Sequence, residues 1–232
     1  MKNKDKIILD LCGGTGSWSK PYRDVGYDVR VINVPEYDVR SFMIFNERLW
    51  FNDGKSFNNK EICLIDKIYG ILAAPPCTQF SFARTNAKKL RDFKDAMSIV
   101  SACLRIIWEV QYEPVNNTAK YTRLKFWALE NPYFGLLKNF IGKHVFTFDP
   151  WEFGDGYQKR TALWGNFNFP VKNPVPMTAE AKAKTNSYLH TIKFDYMKSK
   201  DIHAESFGIF DRQARRAITP AGFARAFFDA NR

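Results

Sequence analysis

Apolar residues in this chain fall into short runs that end in glycines, prolines or polar residues, and several runs are separated by stretches of helical spacing. "KIILDL" (6–11) gives way to a glycine-rich turn and an amphipathic segment before "DVRVINV" (28–34) resumes a β-branched pattern. That order predicts a strand, a helix and a second strand. "KIYGILAA" (67–74) and "KFWALENP" (125–132) are two further apolar runs. Between them Phe93, Ala96, Met97, Val100, Leu104 and Ile107 recur at helical intervals within 90–110. Strands alternating with helices in this way predict an α/β fold, a mostly parallel sheet with helices on both faces.

The rhythm changes after residue 132. "HVFTFDPWEF" (144–153) and "KRTALWGNF" (159–167) read as two strands around a glycine-containing bend, suited to a hairpin at one edge of the sheet. Residues 166–216 carry prolines, lysines and arginines with no strong period. "TPAGFARAFFDANR" (219–232) then closes the chain as a helix, with Thr219 as its cap and Pro220 in its first turn. The chain divides on this reading into a main unit, residues 1–165 with 217–232, and an irregular segment, residues 166–216, as the place for partner-specific contacts.

Composition narrows the partners. A chain of 232 residues suits one domain with a full core. Its 35 Lys and Arg outnumber 24 Asp and Glu, leaving a net charge of +11, which favours polyanions and nucleic acid first among them. Solubility alone is the competing explanation of that charge. Cys12, Cys63, Cys77 and Cys103 show no CxxC spacing, which fits a reducing compartment. No apolar run reaches the ~18 residues of a membrane span, and no signal-peptide pattern opens the chain. A soluble, cytoplasmic protein without a membrane partner is expected.

Four stretches carry candidate chemistry. In "LDLCGGTGSWS" (9–19) glycines directly after the first strand let the backbone turn sharply and approach a ligand, as in a cofactor cradle; a plain tight turn is the alternative. "AAPPCTQFS" (73–81) holds Cys77 behind two prolines that fix the backbone, at a strand end where α/β folds bind ligands. A buried packing thiol is the alternative to a nucleophile there. "ALENPYFG" (128–135) sets Glu130 at the end of another strand, either solvated or positioned for acid chemistry beside Cys77. "GYQKRTALWG" (156–165) sets Arg160 ahead of an apolar strand, either as surface charge or as a fork for substrate or phosphate.

In this order the four stretches resemble the cytosine C5-specific DNA methyltransferase family, and with "AITPAGFARAFF" (217–228) the likeness covers most of the chain. The resemblance implies a Rossmann-like domain that binds S-adenosylmethionine, with residues 166–216 as a reduced target-recognition segment. It assigns Asp10, Leu11, Cys12, Gly13, Gly14, Thr15, Gly16, Ser17 and Trp18 to the cofactor loop, joined by Glu36, Asp38, Val39 and Pro75. It makes Cys77 the nucleophile at C6 of a flipped cytosine, Glu130 the acid at the N3 edge, and Arg160 a support for the base or for Glu130. Pro76, Gln79, Ser81, Arg84 and Asn131 would bind the substrate, Arg84 on its phosphates together with Lys88 and Lys89. The expected partner is double-stranded DNA, the expected metal none, and the oligomeric state open between monomer and dimer.

The chain also departs from the family pattern. Cys12 stands where relatives carry an aromatic, Asn33 stands where an acid holds the cofactor ribose, and Ala162 stands where a second arginine is usual. Glu36 is the expected substitute for the missing acid. The short 166–216 segment implies loose sequence preference or a contribution from another subunit. The compact size resembles phage or mobile-element enzymes. The same chemistry on RNA, a free nucleotide or a modified base stays open, as does a nucleic-acid-binding relative without turnover.

Overall fold

Every residue of β1 (Ile7–Leu11) is buried, as suits a strand covered on both faces. The computed structural model describes residues 2–52, 54, 59–82, 89–112, 114–115, 118–121, 124–176, 185–186, 191–192 and 217–232. After β1 the chain forms α1 (Lys20–Asp24) and β2 (Asp28–Ile32), then a three-stranded antiparallel meander, β3 (Phe42–Phe45), β4 (Arg48–Phe51) and β5 (Lys60–Leu64). β6 (Ile68–Ala73) and α2 (Phe93–Tyr112) follow. A small pair, β7 (Pro114–Val115) and β8 (Thr118–Tyr121), precedes β9 (Phe126–Pro132). Then come α3 (Lys138–Ile141), β10 (Phe146–Phe148), β11 (Thr161–Asn166), a two-residue pair β12 (Thr185–Asn186) and β13 (Thr191–Ile192), and α4 (Ala221–Ala230).

The main sheet has six strands in the order β10-β11-β9-β6-β1-β2. β9, β6, β1 and β2 run parallel, while β11 and β10 add antiparallel at the far edge. The α/β class, the mostly parallel sheet and the edge hairpin are therefore as the apolar pattern predicts. Alternation along each strand sorts the core into two layers. Ile7, Leu9, Leu11, Ile71, Ala73 and Leu129 meet Val100, Cys103, Ile106 and Ile107 of α2 on one face. Ile8, Leu72, Phe126 and Ala128 meet Tyr22 of α1 and Phe223, Phe227 and Phe228 of α4 on the other. Each of those buried phenylalanines contributes roughly 2–3 kcal/mol.

Two expectations change. Thr219 does not cap the last helix: Pro220 occupies the N-cap position without a side-chain bond, and the Asp155 carboxylate accepts from Gly222 N at 2.9 Å. A Cβ on Gly222 would lie 1.9 Å from the Phe153 carbonyl oxygen, so the glycine is what lets α4 dock there. The sequence pattern also gave no strands between 33 and 66, where the meander stands. Its first hairpin turns through Asn46 and Glu47, both at positive φ, a two-residue reversal without the glycine that normally announces one.

Connectivity places the site. The chain leaves β1 through α1 on one face of the sheet and leaves β6 through α2 on the other. Neighbouring parallel strands whose connections diverge in this way open a crevice at their carboxyl ends. The glycine turn and the Pro-Pro-Cys stretch are the two segments that flank it. Among the described residues no helix is long and apolar enough to cross a membrane. Of residues 166–216, most lie outside the described residues. The described start of that stretch runs back along the main unit, with Asn173 N and Val175 N donating to the Glu152 and Trp151 carbonyls at 2.9 Å each.

Candidate active site

The turn after β1 is shaped from within. Cys12, Gly14 and Gly16 adopt positive φ, Cys12 N donates to the Ile32 carbonyl at 2.7 Å, and Gly16 N to the Gly13 carbonyl at 2.8 Å. A Cβ on Gly13 would lie 2.3 Å from Asp10 Cγ, so the backbone folds directly over that carboxyl. Asp10 is fully buried. Ser19 Oγ donates to its Oδ2 at 2.5 Å, while Oδ1 has no partner among the described residues. Burial pushes its pKa up to about 6, against the opposing effects of the Ser19 hydrogen bond and the Arg23 charge. Cys12 turns toward α2, with its Sγ 4.0 Å from Cys103 Sγ.

Leu11 and Trp18 are buried, whereas Gly14 and Thr15 are exposed and Gly13 and Ser17 half-buried. The Trp18 indole N–H also lacks a partner among the described residues. A buried acceptor on Asp10, a buried donor on Trp18 and open space around Gly14 fit a polar ligand lodged against this turn. The last helix reaches the same place, where Thr219 N donates to Ser17 Oγ at 2.9 Å.

The stretch after β6 is held from outside. Ala74 N donates to the Leu11 carbonyl at 2.9 Å, and Asn131 Nδ2 to the Pro75 carbonyl at 3.1 Å. Cys77 sits half-buried in a turn whose carbonyl accepts from Phe80 N and Ser81 N at 3.0 and 2.8 Å. Leu136 N donates to the Phe80 carbonyl at 3.0 Å, and Ser81 bridges Gly135. The loops that follow β6 and β9 are thus stitched together over Pro75 to Ser81 and Asn131 to Leu136. This brings Cys77 and Glu130 to adjacent strand ends. Pro75 is buried and Pro76 exposed.

Gln79 and Ser81 are both held by the segment that leads into α2. Gln79 Oε1 accepts from Asp92 N at 3.1 Å, just ahead of α2. Arg91 donates to the carbonyls of Gln79 and Ser81, the latter at 3.0 Å. No pattern in the sequence marks Arg91 for this role, because its partners are backbone atoms. Arg84 and Lys88 lie outside the described residues, and Lys89 is exposed.

Glu130 faces a small cavity that it shares with Trp18, Lys159, Thr161 and Thr219. Desolvation raises its pKa, and the Lys159 ammonium opposes that rise. Lys159 Nζ also donates to the Ile218 carbonyl at 3.1 Å. The cation whose charge reaches Glu130 is therefore Lys159, one position before the expected Arg160. Arg160 points elsewhere, 3.7 Å from Asp149 Oδ2 and with its guanidinium 5.2 Å from the centre of the Tyr133 ring. Asn131 is buried, and its Oδ1 has no partner among the described residues.

Glu36 is exposed in a turn. Asp38 accepts from Arg40 N at 3.0 Å and pairs with the Arg40 guanidinium at 2.6 Å, and those bonds hold its carboxyl below the usual range. Val39 is a buried core residue. The Asp38 side chain is thus already engaged by its own turn. No protein-family model matches the chain, and a search of curated proteins finds no significant relative.

Proposed function

We propose that this protein is a cytosine C5 methyltransferase acting on DNA with S-adenosylmethionine, through covalent addition of Cys77. The observation that carries the reading is the stitching of the Cys77 turn to the Glu130 strand end by the Asn131–Pro75 bond, beside a glycine turn that opens on the same crevice. The cofactor supplies, when bound, a methyl group on a sulfonium that is electrophilic enough for attack by an activated carbon. Asp10, Gly13, Gly14 and Trp18 are the residues fitted to hold it.

The chain's own groups supply the activation. Cytosine C5 is a weak nucleophile; a Cys77 thiolate that forms a bond to C6 pushes the C5–C6 π electrons toward C5 and the N3 edge. Glu130, whose pKa desolvation raises, is placed to give a proton to N3 as negative charge develops there. The adjacent Lys159 then stabilises the carboxylate left behind. After methylation, loss of the C5 proton to water or a base re-forms the C5–C6 double bond and expels the Cys77 thiolate, while the N3 proton returns to the Glu130 carboxylate. A duplex target must leave the stack first, at a cost of a few kcal/mol.

The test is transfer of tritiated methyl groups to duplex DNA, single-stranded DNA, RNA and free nucleotides, followed by identification of the labelled base. The reading predicts 5-methylcytosine in DNA. Label in RNA or nucleotides alone would move the substrate and keep the chemistry. Label on another base atom would refute the mechanism.

A further inference from the structure

Three side chains of the basic region converge on the Tyr133 ring, immediately after the Glu130–Asn131–Pro132 strand end. The Arg160 guanidinium lies 5.2 Å from the ring centre and Lys138 Nζ 5.7 Å; His144 meets its edge at 5.2 Å between centroids. Lys143 precedes His144 in the chain. The turn that carries both is fixed by Trp164 Nε1 donating to the Gly142 carbonyl at 2.8 Å and by Val145 N donating to the Leu163 carbonyl at 2.8 Å. Desolvation and the charges of Lys138, Lys143 and Arg160 together lower the His144 pKa.

Little opposes this charge. Asp149 faces Arg160 at 3.7 Å, and among the described residues no carboxylate pairs with Lys138 or Lys143. Three cations gathered against one another repel unless an anion lies between them. The cluster also borders the nucleophile stretch, since Gly135 and Leu136 pair with Ser81 and Phe80. We propose that Lys138, His144 and Arg160, grouped around Tyr133, together with Lys143 beside His144, form a phosphate-binding platform that grips the nucleic-acid backbone next to the target base. The proposal rests on the nucleic-acid reading above and assigns Arg160 to the backbone, away from Glu130.

The probe is a fluorescent 20-base-pair DNA duplex titrated with the Cys77→Ala protein between 50 and 200 mM salt. Each phosphate contact contributes about −0.9 to the slope of log affinity against log salt. Lys138→Ala/Lys143→Ala is expected to reduce that slope by about 1.8. Lys4→Ala/Lys67→Ala, an equal loss of charge just ahead of β1 and β6, at the amino ends of the parallel strands, is expected to leave it unchanged. Equal slopes for the two double variants would overturn the platform. In the unsubstituted protein, NMR titration of His144 with and without the duplex should show its pKa rising on binding, as an added phosphate offsets Lys138, Lys143 and Arg160 beside Tyr133 and Trp164. An unmoved pKa would also overturn it. Neither readout needs methyl transfer, so a protein that shows the slope loss but never methylates defeats the enzyme reading alone. A protein that methylates DNA with an unchanged slope defeats the platform alone.

Discussion

Two turns leave neighbouring strands at the same edge of the sheet, and they are held in opposite ways. The turn after β1 is closed mostly by its own atoms, with glycine backbone over Asp10, Ser19 on the Asp10 carboxylate and Gly16 on Gly13, and is joined from outside only at Cys12 and Ser17 among its described hydrogen bonds. The turn after β6 depends on residues far along the chain, with Asn131, Leu136 and Gly135 on one side and Arg91 on the other. A self-contained turn keeps its shape whatever docks beside it. An externally held one is only as well placed as the strand ends that hold it, which ties the position of Cys77 to that of Glu130.

The sharpest way to break the contrast is inside the first turn. Gly13→Ala forces a methyl into the Asp10 carboxyl and is expected to cost about 3 kcal/mol or more in urea unfolding. Gly14→Ala, where a Cβ meets nothing within 4 Å and only the positive φ is strained, should cost about 1 kcal/mol. Equal costs for the two would mean that Asp10 is not what the turn closes over.

Asp10 itself gives the next effect. Its pKa is raised from 3.8 to about 6 in the folded protein, so the folded chain holds a proton that the unfolded chain releases. Stability therefore falls as pH rises through that window and is level above it. The shift corresponds to an upper bound of about 3 kcal/mol. Asp10→Asn should remove this part of the pH dependence and be more stable than the parent by about 2 kcal/mol at pH 7.5, once the unpartnered amide is allowed for. Urea unfolding of both proteins at pH 4 and pH 7.5 measures it; parallel pH profiles would contradict the assignment.

The second turn should yield to distant changes. Asn131→Ala leaves the Pro75 carbonyl without its partner and should cost about 1–2 kcal/mol, with a larger proportional fall in methyl transfer because Cys77 and Glu130 lose register. Gln79→Ala removes one bond to Asp92 N and should cost about 1 kcal/mol. If Gln79→Ala harmed turnover more than Asn131→Ala, with stability little changed, Gln79 would be a substrate contact.

The same contrast decides what was legible in the sequence. The strands that carry Asp10 and Glu130, and the one that leads to Cys77, announce themselves as apolar runs, and the glycines and prolines that follow or end them are local signals. Roles made by partners elsewhere are not legible in that way. Lys159 and Arg160 are adjacent in the chain, and only the packing of β11 against β9 sends one toward Glu130 and the other toward Asp149 and Tyr133. Thr219 has the chemistry of a helix cap, but Asp155 reaches the helix start first. Asp38 satisfies its carboxylate on Arg40, a neighbour two positions away. The β3–β4 reversal hid because Asn46 and Glu47 adopt positive φ without a glycine.

The central claim is that Cys77 bonds covalently to the base while Glu130 serves its edge. Its most direct test is incubation with S-adenosylmethionine and duplex DNA containing 5-fluorocytosine, whose fluorine cannot leave as a proton, followed by denaturing electrophoresis. The account predicts a denaturation-resistant protein–DNA adduct that Cys77→Ser abolishes; an adduct that survives Cys77→Ser, or none with protein shown to methylate cytosine at C5, would contradict it.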